Sequence, residues 1–162
     1  MKNFQEIEKA RFLTQSDFFK VTLENTPADK LQWKPDDKSM SAMEMAQHLT
    51  GSNYFFSALI KGEKPGAPAE APKNPTPAQV MQDLQKSCDM IANTIASVPD
   101  QKLDNQVELG TSGRKVKVRF MVTVPGTHLA YHWGQLSYLQ KMWGDDKDHF
   151  FVDTKTPFGS RY

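Results

Sequence analysis

Apolar residues recur at helical spacing in four stretches of the chain, each bounded by residues that start or stop helices. The first stretch predicts a helix from roughly Phe4 to Leu23, with Phe4, Ile7, Phe18 and Val21 on one face, interrupted by Arg11 and Thr14. Thr26-Pro27 closes it, because a residue before proline is pushed out of the α region. The second stretch opens on Ser41 with Glu44 three residues on, a capping box in which each side chain satisfies the other's orphan N–H. Met45, His48, Leu49, Ser52, Phe55, Phe56 and Leu59 then form a stripe that places His48 on the inward face. The third begins at Thr76-Pro77, with Gln79 completing a second capping box and Val80, Leu84, Cys88, Ile91 and Ile95 forming the buried stripe.

The fourth stretch carries two patterns at once. Lys115 to Phe120 alternates strictly, a strand signal. Val118, Val122, Pro125, Leu129, His132, Leu136, Leu139 and Trp143 follow a heptad spacing that runs much longer. A helix from about Val118 to Met142 is therefore expected, with any strand short and ahead of it. Pro125-Gly126 should kink this helix or mark where its regular part begins. The segment from Lys61 to Pro75, rich in Pro, Gly and Ala, is long for an internal connection and reads as a lid or a link. The polar tail from residue 146 to 162 holds Phe150, Phe151, Phe158 and Tyr162, so part of it should pack back. One helical-bundle domain over residues 1–162 is the expectation.

Composition narrows the function. A net charge of +1 supplies no basic stripe for nucleic acid. No apolar run is long enough to cross a bilayer, so no membrane partner is expected. The single cysteine, Cys88, cannot form an internal disulfide, and the polar N-terminus lacks a signal-peptide core; a cytoplasmic protein is the default. Cys88 lies on an apolar stripe and reads as an inert buried thiol.

The histidines carry the chemistry. His128 and His132 stand one turn apart on one helix face, a spacing that lets two imidazoles reach one metal ion. His48, from another helix, is the third candidate. A lone inward histidine is more often a hydrogen-bonded core residue, but three in one small bundle are costly to desolvate unless paired. Three imidazoles with no fourth protein ligand describe an open site rather than a closed structural one. Gln135 shares their face and could orient a ligand or water, or simply bond between helices. Glu44 lies one turn before His48 and Tyr131 beside His132; both are pocket candidates with simpler roles, in capping and in packing. His149, beside Asp148, reads as a solvated surface residue. Leu129 follows His128, so this is not the H-E-x-x-H pattern of zinc proteases.

Trp33-Lys34-Pro35, the run Ser41-Ala-Met-Glu44-Met-Ala-Gln-His48-Leu49, and His128-Leu-Ala-Tyr-His132-Trp-Gly134-Gln135-Leu136 with Tyr138-Leu139 together resemble the DinB/YfiT-like superfamily. The resemblance covers nearly the whole chain, and the H-x-x-x-H-x-G-Q element is its most specific part. It implies an all-α, up-down-down-up four-helix bundle with long connections. It also implies a site for one divalent metal, zinc or nickel, on His48, His128 and His132, and a homodimer. Characterised relatives include thiol-dependent transferases and an isomerase, so the resemblance implies a metal-dependent enzyme, such as an S-transferase pairing a low-molecular-weight thiol with a small electrophilic substrate. Metal-assisted hydrolysis and non-catalytic metal or ligand binding stand as alternatives. Two positions depart from the family pattern: Leu129 stands where an acidic residue is common, and Pro125-Gly126 interrupts the last helix.

Overall fold

The computed structural model describes residues 2–66, 74–109 and 113–152. Four long helices dominate: α1 (Phe4–Glu24), α2 (Ala42–Lys61), α3 (Pro77–Ala96) and α4 (Val118–Met142). A two-stranded antiparallel hairpin of β1 (Gln106–Glu108) and β2 (Lys115–Lys117) precedes α4, with Val107 opposite Val116. A single turn, α5 (His149–Val152), ends the described chain. The strand and helix signals near residue 118 are thus both realised, one after the other.

Each of the first three helices starts on a capping box: Asn3 with Glu6, Ser41 with Glu44, and Thr76 with Gln79. Lys117, ahead of α4, provides no side-chain cap. Instead the N–H groups of Val118 and Arg119 donate to the carbonyls of Asn105 and Leu103 at 2.9 Å each. Asp104 then clamps Lys117 and Arg119 from the same turn, at 3.0 Å to each. The hairpin and its preceding turn therefore take the place of a capping residue for the longest helix.

Cross-helix bonds define the topology. Arg11 Nη2 donates to the Thr123 carbonyl and Trp133 Nε1 to Thr22 Oγ1, so residue numbers rise together and α1 runs parallel to α4. Asn53 meets Ser87 while Ser57 meets Thr94, so α2 runs parallel to α3. Gln5 donates to the Val98 carbonyl and Lys20 to Gln85, so α1 and α3 are antiparallel. The result is an up-down-down-up bundle in which α1 packs on α3 and α4, and α2 packs on the same two helices. Phe12, Phe19, Leu49, Leu84, Ile91, Met121, Leu129 and Leu136 fill the centre.

Several expectations about faces require correction. Phe18 and Val21 are buried as expected, but Ile7 is 45% exposed, and α1 also buries Gln5, Phe12, Ser16, Phe19 and Thr22. Phe55 is 40% exposed, and α2 buries Met43, Ala46, Asn53, Ser57 and Ile60. Both helices contact two neighbours, so the buried arc includes polar residues that apolar periodicity passes over. The heptad of α4 holds from Val118 to Leu139. The Pro125-Gly126 step lies within a continuous helix rather than at its start. Gly126 permits close contact with α1: a Cβ there would stand 2.8 Å from Gln15 Oε1 and 3.7 Å from the Phe12 Cα.

The tail packs back in part, as expected. Gly144, at φ +91°, turns the chain back, and α5 packs on α1. Phe150 lies against Phe18 and Trp133, with ring centroids 5.0 and 4.8 Å away. His149 is buried, not solvated, and its Nε2 stands 2.8 Å from Asp145 Oδ2. The Lys61–Pro75 connection lies partly, and Phe158 and Tyr162 wholly, outside the described residues.

Candidate metal centre

α2 and α4 face each other across an open seam. His128 and His132 come from consecutive turns of α4, and His48 reaches them from α2. The Nε2 atoms of His48 and His132 each stand 3.1 Å from Nε2 of His128, and the three converge within 4.8 Å of one another. Two nitrogens bound about 2.0–2.1 Å from a single ion lie about 2.8–3.4 Å apart for octahedral to tetrahedral angles. Both 3.1 Å spacings to His128 fall within that range.

The rings are mutually tilted, His128 against His132 at 90° and His48 against the two at 68° and 67°, so they meet edge to face rather than stack. Hydrogen bonding alone cannot satisfy this arrangement. Nε2 of His128 has either one N–H or one lone pair, yet two nitrogens stand equally close to it. A cation accepting three lone pairs removes the conflict, and the cluster could hold a metal ion.

Electrostatics favour the neutral, ligating form. Burial, followed by the neighbouring His132 and His48, pushes the pKa of His128 down to about 4. His132 is lowered by burial and by His48, and Gln135 opposes this weakly as a side-chain partner. Nδ1 of His132 is buried and has no hydrogen-bond partner by geometry. Gln135, three residues on, is the neighbouring amide able to serve it.

Exposure is graded across the site. His132 is 4% exposed, His128 is half-buried and His48 is exposed, a correction to the inward placement expected for it. His48 lies at the edge of the buried arc of α2, where the helix turns toward the seam. The bottom of the site is thus closed and its mouth faces solvent. Phe56 packs edge-on against His128 at 5.4 Å, and Tyr131 against His132 at 5.1 Å, Tyr131 itself being 63% exposed. Glu44 is engaged elsewhere: its carboxylate accepts from the Ser41 N–H and pairs with Lys34 at 2.8 Å. The Lys34 bond and the Ser41 N–H outweigh burial and hold its pKa below the usual carboxylate range. Among the described residues, the ligating cluster contains no carboxylate. Ser52, not singled out in the sequence reading, brings its Oγ to 3.5 Å from Nε2 of His48; its place one turn after His48 was the available signal.

A family model described as the DinB superfamily matches residues 13–136. The chain belongs to the DinB superfamily. Within it, the protein is 24% identical over 135 residues to YjoA, an uncharacterized Bacillus subtilis protein, covering 82% of this chain and 87% of that one. The crystal structure of YjoA, described as a DinB-like protein, superposes with a TM-score of 0.68 at 20% identity, over 86% of this chain and 94% of that one. The likeness establishes the bundle as the DinB-like fold. No described helix is long and apolar enough to cross a membrane.

Proposed function

We propose that this DinB protein is a metal-dependent transferase in which His48, His128 and His132 coordinate one divalent ion, zinc or nickel. The observation that carries this reading is the gathering of three imidazoles, with Nε2 of His48 and of His132 each 3.1 Å from that of His128, closed beneath by buried His132 and open at exposed His48. A divalent ion bound there supplies Lewis acidity, lowering the pKa of a bound thiol or water. Phe56 and Tyr131 wall the mouth with apolar surface suited to a small electrophilic substrate. The thiol loses its proton to solvent; its sulfur forms a bond to the electrophilic carbon, whose leaving group departs with the bonding pair.

Soft thiolate sulfur suits zinc and nickel, which supports a thiol cosubstrate over hydrolysis. Leu129 is buried where the family often carries an acid, and the cluster holds no carboxylate to act as general base for water. A thiol already deprotonated needs no such base. The unpaired Cys88 supports a reducing, cytoplasmic setting. Tyr131, Tyr138 and Met142, exposed along α4, support a homodimer built on that helix.

The test is a panel of low-molecular-weight thiols with small electrophiles, run on zinc- and nickel-loaded protein. Saturable, thiol-dependent turnover that disappears in His128→Ala is the expected result. Rates no greater than those of the uncatalysed reaction across the panel would overturn the transferase reading.

A further inference from the structure

We propose that Ser52 is the positioning residue for the exogenous ligand of this site, its hydroxyl donating a hydrogen bond to the anionic atom that takes the open position. The inference rests on the three-histidine metal reading above. It begins with an uncommitted hydroxyl. Thr50, two residues earlier on α2, spends its Oγ1 proton on the Ala46 carbonyl at 2.9 Å, the usual back-bond of a helical hydroxyl. Ser52 makes no such back-bond. Among the described residues its one hydrogen-bond contact is the 3.5 Å approach to Nε2 of His48, at the outer limit of a hydrogen bond.

That approach places the hydroxyl beside the ion's position. An ion about 2.1 Å from Nε2 of His48 lies no farther than about 5.6 Å from Ser52 Oγ, the reach of a hydrogen bond to an atom already on the ion. Coordination uses the lone pair of Nε2, so the Ser52 proton loses that partner and turns to the incoming atom.

Charge decides what that atom is. Three neutral imidazoles leave the full double charge of the ion uncompensated, and no carboxylate stands in the cluster. In a half-buried pocket an anion is therefore the preferred fourth ligand. Phe56 on the same helix offers no hydrogen bond, and Gln135 lies at the far end beside buried His132. Tyr131 meets His132 through its ring, whereas Ser52 brings its hydroxyl oxygen within hydrogen-bond reach of a ligating nitrogen. The ligand class is a small anion, a thiolate or an oxyanion, held by the ion and by this hydroxyl.

Cobalt(II)-loaded full-length protein, titrated with azide and followed by visible absorption, tests the assignment. Ser52→Ala should keep wild-type cobalt stoichiometry and helical content and bind azide about tenfold more weakly, as expected for loss of a hydrogen bond to a charged group. Ser52→Thr, which keeps the hydroxyl, should recover affinity to within about twofold of wild type. Unchanged azide affinity in cobalt-loaded Ser52→Ala overturns the role of Ser52 while leaving the metal site standing. Failure of the folded wild-type protein to take up cobalt overturns the three-histidine reading, and this inference with it.

Discussion

Trp133 Nε1 donates to Thr22 Oγ1 at 3.3 Å, tying α4 to α1 one residue beyond the buried His132. The two adjacent residues face opposite ways: His132 into the seam with α2, Trp133 onto Phe18 and Phe150. The rotational setting of α4, and so the aim of His132, depends on this anchor. Trp133→Ala should cost about 2–3 kcal/mol, below the range for a fully buried tryptophan because this one is half-buried. Thr22→Val, which removes this acceptor together with the hydroxyl's own bond to the Phe18 carbonyl, should cost about 1 kcal/mol. Urea unfolding curves check both, and equal costs for the two would contradict the anchoring role of the indole body.

Gly126 offers a sharper steric test. A methyl group there meets the far end of Gln15, which can swing aside, while the helix gains about 1 kcal/mol of propensity. Gly126→Ala should therefore shift Tm by no more than about 3 °C in either direction. Gly126→Leu, which must displace the α1 backbone, should lower Tm by about 6 °C or more. Thermal melts of the two variants separate these outcomes.

Acid should weaken the metal-free protein through His128. Its folded pKa of about 4 lies below the value of about 6.5 for an unfolded histidine. Between these values the unfolded chain binds a proton that the folded chain refuses. Stability is therefore lost as pH falls from about 6.5 toward 4, and this contribution levels off below that. Urea midpoints of wild-type apoprotein should decline over this range more steeply than those of His128→Asn; parallel slopes would contradict the shift.

A second acid-sensitive element is the α5 tether. Burial raises the pKa of Asp145, but the hydrogen bond with His149 and that from the Lys147 N–H outweigh it, and the net shift is downward. A depressed carboxylate contributes stability above its unfolded pKa of about 3.9 and loses it as pH falls through the lower folded value. Asp145→Asn should release α5 at neutral pH and red-shift the fluorescence of Trp133, which Phe150 covers. The other two tryptophans, Trp33 and Trp143, are first replaced by Phe in the reporter background. An unshifted spectrum would show that Asp145 does not hold the segment.

Local chemistry made much of this legible in the amino-acid order. Ser41 with Glu44 and Thr76 with Gln79 mark helix starts because their bonds are local, and each lies where expected. The i, i+4 spacing of His128 and His132 sets them on one face whatever the tertiary context. Tertiary choices were less legible. The face of α1 is only partly legible: Phe18 and Val21 are buried, but so are Gln5, Ser16 and Thr22, and at Gln5 a compensating partner is the Val98 carbonyl, 93 residues away. His48 lay on an apolar stripe, but periodicity does not reveal where a stripe ends at a seam between helices. His149 looked solvated because its neighbours are polar, whereas the turn at Gly144 carries it under the bundle. Ser52 reads only as a member of the α2 stripe, because its place beside the site depends on side-chain geometry and on an ion position shared with another helix.

The most direct test of the central claim is metal content by inductively coupled plasma mass spectrometry, paired with zinc and nickel titration of stripped protein. The account predicts one tightly held divalent ion per chain, lost in His132→Ala while circular dichroism still reports the helical bundle. A folded wild-type protein that retains no metal and takes up neither zinc nor nickel at micromolar concentration would contradict it.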